Sequence, residues 1–297
     1  MKLIKQSYEI IPQENTLEGL YKHIEKCGRI CYKSEDKITD NSAKTFVDRL
    51  IKSGHGAMLE HATVYLKFDS VVHGFCSGHG AGLKYMNNPY SKVNIIEGTT
   101  IQCVTTNYRV LVENNWLDDL QYLCNPTEHH HKRVTVKFVT DQGILREFTR
   151  HRVFSFAVES TRYCNYSKDK YNNEITFIIP SWSKLEEGQC SYDETTSFIR
   201  KCKNKMPLSD IAFLETCAFV ESKYLMMTMF YENTAQEARN ILPLATKCDM
   251  VMTGFVDDWK HFFDLRARGT TGAPHPQAKE LAEPLLTEFI KRGILSL

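Results

Sequence analysis

The sequence predicts a fold that mixes strands and helices, with a mainly helical C-terminal half. Three observations carry this. Residues 62–68 (ATVYLKF) and 133–139 (RVTVKFV) alternate apolar and polar side chains with the period of a strand. A third run, residues 175–179, is β-branched and aromatic and is stopped by Pro180. Beyond residue 209, apolar side chains recur at helical spacing.

The elements follow in order. Residues 14–34 carry Leu17, Leu20, Ile24 and Cys27 at helical spacing. Asp40-Asn41-Ser42 offers cap chemistry for a second helix with the stripe Phe46, Leu50 and Ile51, ended by Gly54. His55 and His61 bracket the turn before the first strand. Residues 70–100, with Gly74, Gly78, Gly80 and Gly82, read as a surface excursion, and residues 104–124 as a helical pair. The run His129-His130-His131 follows Asn125-Pro126 and reads as a polar loop. Thr140 or Asp141 caps a helix with Ile144, Leu145 and Phe148 inward. Ser209 or Asp210 caps a long helix with Ile211, Leu214, Ala218, Leu225 and Met229 inward. The Met-rich run Met226-Met227-Thr228-Met229 reads as core filler or subunit interface. Thr234 and Glu237 form a capping box. Trp259, Phe262 and Phe263 mark the core face of a helix near 257–266, and a last helix spans about 276–291.

At 297 residues the chain is treated as one domain, 1–297, elaborated at about 70–132. A net charge of +1 gives no global basic field, so no nucleic-acid partner is expected and any anion site must be local. No apolar run spans a bilayer, and the opening MKLIKQSYEIIPQENT lacks the apolar core of a signal peptide; a cytoplasmic location with no membrane contact is expected. Ten scattered cysteines, none in CxxC, fit free thiols.

The chemistry concentrates in RHRVFSFAVESTRY: Arg150, His151 and Arg152 in a row, then Ser160, Thr161 and Arg162. A cation cluster persists in a fold only if anions answer it, and Glu147 and Glu159 do not balance this one. The arginines are therefore read as phosphate ligands; the plain alternative is a solvated basic turn. Arg239 follows the capping box, and Arg266 sits at the edge of the 257–266 apolar face, where it either snorkels to solvent or holds its guanidinium at a pocket wall.

Arg-His-Arg, seven residues, then Ser160-Thr161-Arg162-Tyr163 resembles the signature of the flavin-dependent thymidylate synthases, the ThyX family. Three further elements extend the resemblance in the right order: His55…Leu59-Glu60-His61-Ala62; Glu237-Ala238-Arg239…Leu242-Pro243; and Trp259-Lys260-His261-Phe262 with Leu265-Arg266 and later His275-Pro276-Gln277. The resemblance implies an α+β subunit, with a central antiparallel or mixed sheet flanked by helices, in a homotetramer with sites shared between subunits. It implies conversion of dUMP to dTMP, with 5,10-methylenetetrahydrofolate as carbon donor and FAD reduced by NADPH as hydride source. It places Arg150, His151, Arg152, His55, His261 and His275 against FAD, with Glu159 in the position nearest the family's acid. Glu147, Arg150, Ser160, Thr161, Arg162 and Arg239 are implied dUMP ligands. Arg266, at the uracil edge, and Ser160 are the implied catalytic residues. No metal is implied.

The chain departs from the family pattern at several places. Glu147 replaces a glutamine, Ala157-Val158 stand where Asn-Glu is common, Gln236 replaces an acid, Ala57 a hydroxyl residue, and Phe255-Val256-Asp257 an Asn-x-Arg. Two rivals stay open: a non-catalytic nucleotide- or RNA-binding homologue, and a metal-dependent phosphohydrolase using His55, His61 and the 129–131 histidines.

Overall fold

The computed structural model describes residues 1–69, 81–189, 196–197 and 206–296. Strands β1 (Lys2–Ile4) and β2 (Ser7–Ile11) open the chain. Helices α1 (Leu17–Ile30) and α2 (Ser42–Lys52) precede β3 (Thr63–Asp69). Then come β4 (Lys92–Ile95), β5 (Ile101–Asn107) and α3 (Tyr108–Glu113). The middle holds β6 (Arg133–Asp141), α4 (Gln142–Phe148), β7 (Ser155–Val158), β8 (Thr176–Ile178) and β9 (Gly188–Gln189). The rest comprises α5 (Leu208–Met229), α6 (Ala235–Ala238), β10 (Lys247–Phe255), α7 (Val256–Phe263) and α8 (Pro276–Lys291).

The expected α+β architecture is present, and its centre is the antiparallel sheet β2-β6-β10-β7. Its two faces separate along β10. Met250 and Met252 join Val136, Phe138 and the aromatic residues of α4, α7 and α8 in one core. Val251, between them, joins Ile11, Ala157 and the α1 residues Cys27 and Ile30 in another. Alternate side chains of a strand point to opposite faces, so α4, α7 and α8 cover one side and α1 the other. The antiparallel sheet β3-β5-β4 packs its own core with α2, and β8-β1-β9 with α5 makes a third unit.

Several expectations change. Central strand β10 was not foreseen; Cys248, Met250, Val251 and Met252 are all buried, and a strand buried on both faces shows no alternation. Residues 101–107 form strand β5 rather than the start of a helical pair, because Cys103, Val104 and Thr105 pair with β3 on one side and β4 on the other. Gly82 is packed rather than part of a surface excursion, its N–H donating to the Gln102 side chain at 2.9 Å; Gly74, Gly78 and Gly80 lie outside the described residues. On α2, Val47 is buried and Ile51 is exposed, and on α5 Met229 is exposed. Helix α5 starts after Pro207 with no side-chain cap, and Asp210 is buried. The Asp141 cap of α4, the Thr234–Glu237 capping box and the bounds of α8 match expectation.

Candidate functional site

The N-cap of α4 is set by Asp141, which accepts from the Ile144 N–H at 2.7 Å. The helix lies on the aromatic core, with the Phe148 ring 5.2 Å from Phe138 and 4.9 Å from Phe262. This fixes where Glu147 and the turn Arg150-His151-Arg152 emerge. Phe154 anchors the far side of that turn: it lies so close to Gly254 of β10 that a Cβ there would meet its ring at 2.5 Å.

Arg266 comes from the turn after α7. Residues Asp264–Arg268 form a π-helical turn, closed by Gly269 at φ +68°. Such wide turns recur at functional sites because they re-aim side chains. Here the turn delivers the Arg266 guanidinium onto the end of α4. Its Nη1 donates to Glu147 Oε2 at 2.6 Å, its Nη2 to the Glu147 carbonyl at 2.9 Å, and its Nε to His151 Nε2 at 3.2 Å. The guanidinium is thus fixed by three bonds over the end of α4 rather than extended into solvent, and Glu147 is the acid that answers it.

His151 is not a third cation. It is buried, its ring stacks edge-on against Phe262 at 5.1 Å, and it accepts a bond from Arg266. Burial first, then the charges of Arg266 and His261, lower its pKa to about 4. A neutral imidazole with Nε2 as acceptor carries its proton on Nδ1. His261 is exposed, 6.2 Å from His151 between ring centroids. Arg150 and Arg152 are exposed, with no ion pair among the described residues.

The second half of the motif lies elsewhere. Residues 155–158 form β7, absent from the sequence reading, and a four-residue strand spans roughly 13 Å. Ser160 therefore leaves the opposite end of β7 from His151. Its N–H donates to the Cys31 carbonyl at 2.9 Å, beside the C-terminus of α1. Arg162 Nε donates to Gln236 Oε1 at 2.9 Å, which ties Ser160-Thr161-Arg162 to α6 and the exposed Arg239. Gln236 is neutral, so this bond sets no carboxylate against the Arg162 guanidinium.

Glu159 points inward, away from the Arg150–Arg152 turn. It accepts from Lys247 Nζ at 2.8 Å and from the Asp249 N–H at 3.1 Å. Asp249 is buried and pairs with Lys33, Lys137 and Lys247, and it is held at a pKa of about 2 by those lysines against the opposing effect of burial. Glu159 and Asp249 thus bolt the Ser160 turn and the Lys33 loop to β10. His275 is the N-cap of α8, accepting the Gln277 N–H at 3.2 Å.

His55 lines a cavity on the α1 side of the sheet, with Cys31 and Met58. The core of that side includes Met58 as a packed neighbour, whereas His151 and Arg266 sit over α4 and α7. His61 does not share a site with His55. It is fully buried, and His61 Nδ1, Thr253, Thr135 and His23 form a hydroxyl–imidazole chain with links of 2.8, 2.8 and 3.1 Å. His130 is likewise internal, its Nε2 3.1 Å from the Leu66 carbonyl. Among the described residues no group of three or more His, Cys, Asp or Glu side chains is placed to hold a metal ion. The described cysteines are free thiols, and no described helix is long and apolar enough to cross a membrane.

The profile of the family described as thymidylate synthase complementing protein matches residues 102–292, more than half of the chain and both halves of the motif. The chain belongs to this family. A flavin-dependent thymidylate synthase of Synechocystis sp. is 28% identical over 160 residues, 53% of this chain and 66% of the relative. A probable flavin-dependent thymidylate synthase of Paramecium bursaria Chlorella virus 1 is 26% identical over 159 residues, again 53% and 66%. The chain thus spans just under two thirds of the length of these thymidylate synthase relatives. Solved structures align more loosely. A UMP/dUMP methylase, PolB, from Streptomyces cacaoi bound with 5-Br dUMP covers 98% of this chain and 93% of its own at 16% identity, with a TM-score of 0.42. Thymidylate synthase X from Helicobacter pylori with FAD and dUMP covers 95% and 91% at 11% identity, with a TM-score of 0.37. Membership in the thymidylate synthase complementing protein family rests on the sequence match.

Proposed function

We propose that the chain is a subunit of a homotetrameric flavin-dependent thymidylate synthase. It converts dUMP to dTMP with 5,10-methylenetetrahydrofolate as carbon donor and FAD, reduced by NADPH, as hydride source. The family supports the reaction class, and the fixed Arg266 guanidinium carries the assignment.

The residues present fit both ligands. Arg150 and Arg152 leave their planar forks exposed and without ion pairs among the described residues, as a pyrophosphate requires. His261, exposed beside His151, and His55 and His275 are the flavin-side residues in this reading. FAD, when bound, supplies the hydride. Arg266, held by Glu147 and His151, presents a preorganised cation to the uracil edge, where negative charge develops as C5 becomes nucleophilic. Neutral His151 accepts from Arg266 Nε and adds no competing charge. Ser160, Thr161, Arg162 and Arg239 take the nucleotide's phosphate and sugar.

The placement of these residues in one chain supports sharing of sites between subunits. Arg266 with Glu147, and Ser160 with Arg162, lie at opposite ends of β7, and His55 lies on the opposite face of the sheet from Arg266. In this reading a second copy brings to each site the residues that one chain holds apart. The experiment is a flavin spectrum of the purified protein followed by dUMP-dependent NADPH oxidation. A yellow protein that oxidises NADPH only with dUMP and folate is expected. Colourless protein that takes up no FAD would return the chain to the non-catalytic nucleotide-binding reading.

A further inference from the structure

None of the residues assigned to flavin or nucleotide lines a cavity of about 210 Å³ at the edge of the central sheet. Its origin is a mismatch of strand lengths. Edge strand β2 pairs with β6 as far as Ile11 opposite Thr135, and Pro12, with no N–H to give, ends the ladder. β6 begins two residues before Thr135, so Arg133 and Val134 run past the end of β2. The cavity occupies that corner, together with Thr63 and Tyr65 of β3 and with Ile294, which follows α8.

Arg133 is the only charged residue in the lining, and it forms no ion pair among the described residues. Its side chain donates to uncharged groups alone. Nη1 reaches the Glu60 carbonyl at 3.1 Å and the Thr63 hydroxyl at 3.4 Å, and Nη2 reaches the Ser155 hydroxyl at 3.5 Å. Nε is shut off from solvent and has no hydrogen-bond partner among the described residues. The guanidinium carbon lies 5.5 Å from the centre of the Phe255 ring. Two carboxylates act on its charge from a distance, and both are committed elsewhere. Glu60 pairs with Arg109 at 2.5 Å, and Asp258 accepts the Phe255 N–H at 3.2 Å. Burial outweighs them and lowers the Arg133 pKa to about 10, so the side chain is still a cation at neutral pH. A cation held inside a fold without a carboxylate is costly until an anion meets it.

The rest of the lining says which anion. Tyr65 accepts the Arg133 backbone N–H at 3.2 Å, so its own hydroxyl proton is left for an acceptor. Ile11, Val134 and Ile294 supply apolar wall. A phosphate group carries close to two charges near neutral pH and would face a single cation here. One guanidinium matches one carboxylate, which its planar fork can hold through two bonds. The volume equals about seven water molecules at roughly 30 Å³ each, room for a carboxylate on a short branched chain. We propose that this cavity is a binding site for a small aliphatic monocarboxylate, with Arg133 as its counter-ion. The site stands apart from the thymidylate synthase reading and does not need it.

The test uses isovalerate, its neutral isostere isovaleramide, and inorganic phosphate. Each is titrated against the purified protein and followed by saturation-transfer NMR, with FAD and dUMP added to occupy the other cationic residues. Isovalerate binds with a Kd on the order of 1–10 mM, as so small a ligand allows. It binds about tenfold tighter than the amide, and phosphate does not displace it. In Arg133→Gln the advantage of the acid over the amide falls to about twofold or less. That substitution takes an unpaired cation out of the interior and leaves no new charge behind. Ile294→Trp keeps Arg133 and fills the cavity from a half-buried position beyond α8, so isovalerate binding is lost there too, should Arg133→Gln not fold. Acid and amide binding alike, displacement by phosphate, no binding at all, or binding that survives either substitution overturns the proposal.

Discussion

Arg266→Ala removes three bonds at once: those to Glu147 Oε2, the Glu147 carbonyl and His151 Nε2. The ion pair is only partly solvent-exposed, 18% for Arg266 and 31% for Glu147, so its loss costs about 1–2 kcal/mol of stability. The chemical cost is larger. Deleting one preorganised group that faces developing negative charge lowers turnover about 10²–10³-fold, or ~3–4 kcal/mol. The pKa of His151, about 4, also rises, because Arg266 is the second cause of its depression; burial, the first, remains. Three measurements follow. Flavin absorbance reports retained FAD, tritium release from C5-labelled dUMP reports the chemistry, and histidine NMR reports the His151 titration. Bound flavin with tritium release lost and His151 moved toward 6.5 is expected. Tritium release at the parental rate would refute the role of Arg266.

Arg162→Ala weakens dUMP about tenfold or more and leaves FAD nearly untouched, measured by equilibrium titration of each; an equal loss of both contradicts the phosphate assignment. Mixing Arg266→Ala with Arg162→Ala chains, each nearly inactive alone, restores activity to roughly a quarter of the parental level if one site takes its halves from two randomly assorted subunits. No recovery after unfolding and refolding the mixture shows that each site is built within one chain. The urea midpoint falls between pH 7.5 and pH 5. His23, His61 and His151 have folded pKa values of about 4, 3 and 4, all below the ordinary 6.5 and all depressed chiefly by burial. The folded state binds fewer protons than the unfolded one, so this stability is full above 6.5 and lost as pH falls toward those values. Each shift of about two units or more corresponds to roughly 3 kcal/mol once fully expressed. An unchanged midpoint would mean that these rings are not buried neutral.

Legibility in the sequence followed local chemistry. The caps at Asp141 and Thr234, the aromatic stripe of α7 and the Arg-His-Arg turn at the end of α4 were readable because each is written within a few residues. Strand β10 was not, since a strand buried on both faces resembles any short apolar run. That omission hid the lysine cluster of Glu159 and Asp249, whose partners Lys33 and Lys137 are distant in sequence. Missing β7 had a larger effect: without it, Arg152 and Ser160 look like neighbours. Ala157 and Val158 then look like lost site residues, although Ala157 is a fully buried strand residue paired with Val251. The charge partner of Arg266 was visible in sequence only as Glu147, an acid in the place of a glutamine; that Arg266 would meet it depended on how the chain after α7 is wound.

That winding makes Arg266 a matter of counting rather than of residue type. A helix that gains one residue in a turn rotates everything beyond it by about 100° relative to a regular α-helix. Asp264–Arg268 holds such a surplus residue directly under the guanidinium. The aim of Arg266 at Glu147 is set by this winding, with Ala267 buried in the core beside it. Loss of one residue from the same stretch would put the helix back in step and swing the arginine away from α4, with every contacting side chain still present. The length of this stretch is therefore as much a part of the site as the arginine it carries.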